Sequence, residues 1–172
     1  MKRLATILGM VALAQGSAAA AAEAGPCVPP EKAEALITYL LPGSLKAVGT
    51  KCSASLPATA SLLQVDSEQF ARYQDASDQA WPDAQDVIGV LAGEDLPEGV
   101  DMNALRPMID AIIPAMLTQQ LKPKDCPTIE RVYNLLEPLP STNVASLTVM
   151  LIQLGTSSRE KDPLNICKPM PQ

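Results

Sequence analysis

Cys27, Cys52, Cys126 and Cys167 are the residues whose types and spacing speak most directly of chemistry in this 172-residue chain. A structural zinc site wants thiolates in pairs about two to four residues apart, and a redox couple wants C-x-x-C. No two of these cysteines stand that close. Two disulfides are the remaining reading, and they imply an oxidising compartment. Histidine is absent altogether. That removes Ser-His-Asp and Cys-His catalysis, imidazole-bound metals and the commonest general base near neutral pH. There is no glycine-rich phosphate loop, nucleophile elbow or EF-hand spacing either. No catalytic residue, metal or cofactor is therefore expected.

Two weaker groupings remain. Glu68, Asp75 and Asp86 fall within about 20° of one another on a continuous helix, with Asp78 and Asp83 to either side. Such a stripe suits a basic partner surface, and an ordinary solvated face accounts for it as well. Met108, Ile112, Met116 and Met150 are apolar and mostly pliant, so they could line an adaptable apolar pocket. Packing in a common core would use the same residues.

The elements that must position these groups read as helices throughout. Asp101 to Leu121 carries Leu105, Met108, Ile109, Ile112, Ile113, Met116 and Leu117 at helical spacing, with Asp101 as its cap. Pro107 and Pro114 share the opposite side, which predicts a central helix bent over a core with both prolines outside. A helix from Pro30 is expected to break at Pro42-Gly43, and a second to run on to Cys52. Another begins after Asp66, with Gln69 completing a capping box, and stops at Gly93. A helix after Pro127 turns at EPLPST into the stretch from Asn143 to Leu154, apolar nearly all round and so expected to lie between other helices, with Gly155 as its C-cap. The fold class is all-α, a bundle of about five to seven helices spanning 23–172, with an irregular tail from about 156.

Two helical hairpins would bring the cysteines together as Cys27–Cys52 and Cys126–Cys167. A faint repeat at a shift of 99 residues, Cys27 onto Cys126 and Leu36 onto Leu135, agrees with that layout.

Residues 1–22 read as a cleaved signal peptide: Lys2 and Arg3, the apolar run Leu4 to Ala14, then small residues ending at Ala20 or Ala22. Without Lys2 and Arg3 the balance is 11 basic against 19 acidic residues, a net charge of −8. With five aromatic residues in all and no basic stripe, nucleic acid and anionic membranes are unsuitable partners, and no stable membrane insertion is expected after cleavage. The chain thus reads as a periplasmic or secreted, non-catalytic helical protein, an interaction or accessory protein of the cell envelope with an unidentified partner. The alternative is a carrier of a small apolar, lipid-like molecule held under the central helix.

Overall fold

The computed structural model describes residues 27–93, 96, 99–156 and 164–167. The signal-peptide reading and most of the C-terminal tail lie outside them. Among the described residues there are five α-helices: α1 Pro30–Cys52, α2 Glu68–Ala92, α3 Met102–Thr118, α4 Cys126–Leu136 and α5 Ser141–Thr156. Short 3-10 turns at Ser61–Leu63 and Pro123–Asp125 join α1 to α2 and α3 to α4. The expected all-helical, disulfide-stabilised bundle is what the chain forms.

The helix at its centre is α1, not α3. It packs against α2, α3, α5 and the Ser61–Leu63 turn. Pro42 sits inside it and is buried, as are Ala33, Leu36 and Tyr39, so burial of this face outweighs the hydrogen bond that proline removes. Gly49 lets the next turn approach closely. A Cβ there would stand 2.7 Å from the Leu62 carbonyl oxygen.

Two apolar clusters share α1, α2 and α5. The first joins the N-terminal half of α1 to the C-terminal half of α2, with Ile109 of α3, Val149 of α5 and Ile166. The second joins Leu62, Tyr73 of α2, Tyr133 of α4 and Val144 of α5 to the C-terminal half of α1. Helix termini follow local rules: Asp101 Oδ1 accepts from the Asn103 amide at 2.9 Å, and Gly93 ends α2 at φ 54°. The cap of α2 is Ser67, whose Oγ accepts from the Phe70 amide, not Asp66. Gln69 is buried instead and donates toward the Tyr73 hydroxyl and the Tyr133 carbonyl.

The disulfides pair differently from the hairpin expectation. They are Cys27–Cys167 and Cys52–Cys126. Because α1 runs unbroken for 23 residues, its two ends stand about 33 Å apart at the usual helical rise, far beyond disulfide reach. The repeat at 99 residues fails for the same reason: one long helix faces two shorter ones. Cys52 meets Cys126 where α1 ends and α4 begins, and both are fully buried. Cys27 and Cys167 tie the outer ends of the described chain, beside the isolated bridge between Val28 and Ile166.

Candidate functional site

An apolar cleft of about 690 Å³ opens between α1, α2, α3 and α5. Leu36, Ile37, Leu40 and Leu41 of α1 form its floor. Ile88 and Leu91 of α2 close one side, Ile113 and Leu117 of α3 and Ile152 of α5 form the facing walls, and Leu164 completes the lining. Among the described residues none that is charged lines it; the polar side chains are Ser44 and Thr148. The Thr148 hydroxyl is already turned onto the Val144 carbonyl at 2.8 Å. Pockets for small apolar ligands have volumes of about 300–1,000 Å³ and linings of this kind. The sequence produces the cleft because the apolar stripe of α1 is two residues wide at each turn, Leu36-Ile37 and then Leu40-Leu41. One neighbouring helix cannot cover a stripe that broad.

A polar and aromatic lock holds α1, α2 and α3 together. The Tyr39 and Trp81 rings lie 4.8 Å apart at 45°, and the Arg106 guanidinium stands over both, at 5.5 and 5.1 Å. Arg106 also pairs with Asp78 of α2, and Trp81 Nε1 donates to Asn103 Oδ1 at 2.8 Å. The Tyr39 hydroxyl donates to Asp110, and Ser77 Oγ donates to the Tyr39 carbonyl at 2.7 Å. Burial, and then the Asp110 carboxylate, push the Tyr39 phenol well above its ordinary pKa. At the other edge, the Val28 amide donates to the Asn165 carbonyl at 2.9 Å and the Cys167 amide to the Val28 carbonyl at 2.8 Å. With the Cys27–Cys167 bond, these fix the segment that sets Leu164 against the cleft.

The residues singled out in the sequence fare unevenly. The acidic set does share α2, which is continuous through Pro82, but cations of the same chain engage most of it. Lys32 Nζ bridges Asp83 at 2.7 Å and Asp86 at 3.1 Å, Arg106 holds Asp78, and Arg72 lies 3.7 Å from Glu68. Asp75 remains exposed. Met108, Ile112, Met116 and Met150 do not line the cleft: they face outward, between 49% and 60% exposed. α3 rests chiefly on α1, which covers Ile109 and Pro114 and leaves the far part of the broad stripe bare. Pro114 is thus turned inward, opposite to the expectation; Pro107 is exposed. α5 is likewise uncovered on its outer side at Leu147, Leu151 and Leu154, where a helix packed between others was expected. Sequence reasoning missed the cleft; the doubled width of the stripe from Leu36 to Leu41 was the available signal.

Two smaller hollows flank α1. One, of about 520 Å³, lies against α3 near Lys46, Lys51 and Asp110; the other, of about 280 Å³, lies against α2 near Glu31, Glu34 and Asp83. Among the described residues no helix is long and apolar enough to cross a membrane. Compared with protein-family models, curated proteins and solved structures, the chain matches none of them. Its class is the one the fold and the cleft define: a disulfide-stapled, all-α domain with an apolar hollow.

Proposed function

We propose that this protein is a non-catalytic carrier, periplasmic or secreted, that takes a small uncharged apolar molecule into the cleft over α1. The observation that carries the reading is the cleft itself, about 690 Å³ and lined by leucine and isoleucine from four elements, with no charge among its described lining residues. A lipid-like molecule of modest size would leave water for this lining and lose no hydrogen bond in doing so. Support for the compartment comes from two disulfides, which fit an oxidising environment, and from the signal-like first 22 residues. The polar groups among the described lining residues are the hydroxyls of Ser44 and Thr148, and binding without turnover is the activity proposed.

The test uses N-phenyl-1-naphthylamine, an uncharged apolar probe that brightens on leaving water. The oxidised protein is expected to bind it saturably at one site. Ile113→Trp, which fills the cleft from α3, is expected to abolish binding while leaving the helical circular dichroism unchanged. Absence of saturable binding, or equal binding by a folded Ile113→Trp, would sink the carrier reading.

A second reading, an accessory protein docking on another envelope protein, is favoured by the bare outer faces of α3 and α5. It predicts co-purification with a defined partner whether or not the cleft is filled.

A further inference from the structure

The lips of the cleft differ in kind from the rest of the surface. On α3 they present Ile112, Met116 and Leu117; on α5, Leu151 and Leu154, the last 67% exposed. The stretch Ala111 to Leu121 contains no charged residue, and neither does any position of α5 from Ser141 to Thr156. In a chain with 13 basic and 19 acidic residues, two adjoining uncharged walls are a local property, not an average one. The charges lie elsewhere. Around α1, Glu31 and Glu34 beside Asp83 are centred roughly 120° from the middle of the stripe that floors the cleft.

We propose that this uncharged rim docks on the surface of a neutral, zwitterionic lipid bilayer, with the mouth of the cleft facing the lipid. The inference rests on the carrier reading for its purpose: an apolar ligand could then pass between bilayer and cleft without crossing water. The docking itself stands on the rim. Protein interfaces concentrate their binding energy in tyrosine, tryptophan and arginine, and the described rim residues include none of these. Exposed leucine, isoleucine and methionine side chains suit a fluid apolar phase, into which an amphipathic face sinks about 5–10 Å. Charge decides the lipid. Surface-seeking helices usually add lysine and arginine to hold anionic headgroups, whereas here the described rim is neutral and the net negative charge of the chain disfavours an anionic membrane.

Flotation with vesicles tests this on the oxidised protein. Co-flotation with phosphatidylcholine vesicles is expected, with less at low salt when phosphatidylglycerol is mixed in. Met116→Glu with Leu151→Glu should lower partition by about tenfold or more, because two side chains that enter lipid become charged. That variant should still bind N-phenyl-1-naphthylamine, since neither position lines the cleft. Ile113→Trp should behave oppositely, losing the probe and keeping the vesicles. If the parent protein stays with the unbound fraction, or the double glutamate variant floats as well as the parent, docking on neutral lipid is overturned. A parent that stays unbound but elutes as a dimer, which the glutamates convert to a monomer, assigns the rim to a second copy and overturns it too. Vesicle binding without probe binding would retire the carrier and leave the docking surface standing.

Discussion

At the end of the bundle that holds Cys52 and Cys126, a carboxylate and a buried disulfide fasten α4 to the α1–α2 connection; along the cleft, apolar side chains of four helices meet loosely and leave a hollow. The closed end is fastened by Glu130 of α4, whose two carboxylate oxygens accept from the Ser61 and Leu62 amides at 2.8 and 2.9 Å. Asn134 Nδ2 steadies the same carboxylate at 3.0 Å. Those amides begin a 3-10 turn and would otherwise lack partners, so one side chain satisfies a helix start, joins α4 to the α1–α2 connection and lies beside a buried disulfide. Across the cleft, α3 and α5 present Ile113, Leu117 and Ile152 to each other. Hydrogen bonds and sulfur bridges demand one geometry, whereas apolar contact tolerates many. The polar lock that joins α1, α2 and α3 lies behind the cleft, and the walls of the cleft itself are apolar, which leaves the hollow free to hold something.

The largest test of this contrast lies in the disulfides. In the chain-entropy view, a bridge across 140 residues and one across 74 each stabilise by roughly 4–5 kcal/mol when taken alone. Cys52→Ala with Cys126→Ala should nonetheless destabilise more than Cys27→Ser with Cys167→Ser in chemical denaturation, because it also empties a fully buried site. Mild reductant should open Cys27–Cys167 first, as mapping of alkylated peptides would report, since Cys27 is exposed. Simultaneous opening of both would erase the distinction between the ends. Next in size, Glu130→Ala should cost about 1–3 kcal/mol, the expected loss for two charge-assisted hydrogen bonds to half-buried amides. Gly49→Ala tests the same closed end from α1. Helix propensity alone would favour alanine by about 1 kcal/mol, but the Cβ would press on backbone at 2.7 Å, so the net effect should be destabilising.

A smaller effect should separate the lock behind the cleft from the cleft itself. Burial raises the Tyr39 phenol above its ordinary value of 10.0, and it raises Tyr133 as well. Above pH 10 the unfolded chain then releases protons that the native chain keeps, so stability should fall as pH rises through that region and stay flat below it. Tyr39→Phe should make the alkaline decline shallower without changing probe binding; an unchanged slope would mean the phenol does not link α1 to α3 as described. The smallest effect is expected for Lys32→Met. Its bridges to Asp83 and Asp86 are solvated, and the melting midpoint should hardly move.

The helices were legible because their signals are local: Asp101 and Gly93 bound their elements as their types demand, and the all-α class follows from spacing alone. The disulfide pairing was not, because it turned on whether Pro42-Gly43 stops a helix. Locally it should; the buried side of α1 overrides it, and that side exists only once α2, α3 and α5 are in place. The cleft escaped for a related reason. A stripe such as Leu36-Ile37, Leu40-Leu41 records how much apolar width a helix has, whereas the residues left bare, like Met116 and Leu151, depend on how many neighbours arrive to cover it.

The unbroken length of α1 has a consequence for how the bonds are made. As the chain is synthesised, Cys27 and Cys52 become available to each other before either native partner exists. The native bonds are nested, 52 to 126 inside 27 to 167, so neither can close until most of the chain is present. Once coiled, α1 acts as a strut that keeps the two early thiols about 33 Å apart. The helix is thus a proofreader of oxidation: a variant that melts it early, such as one with a further proline near Leu45, should accumulate Cys27–Cys52 species when oxidative refolding is quenched with acid and mapped.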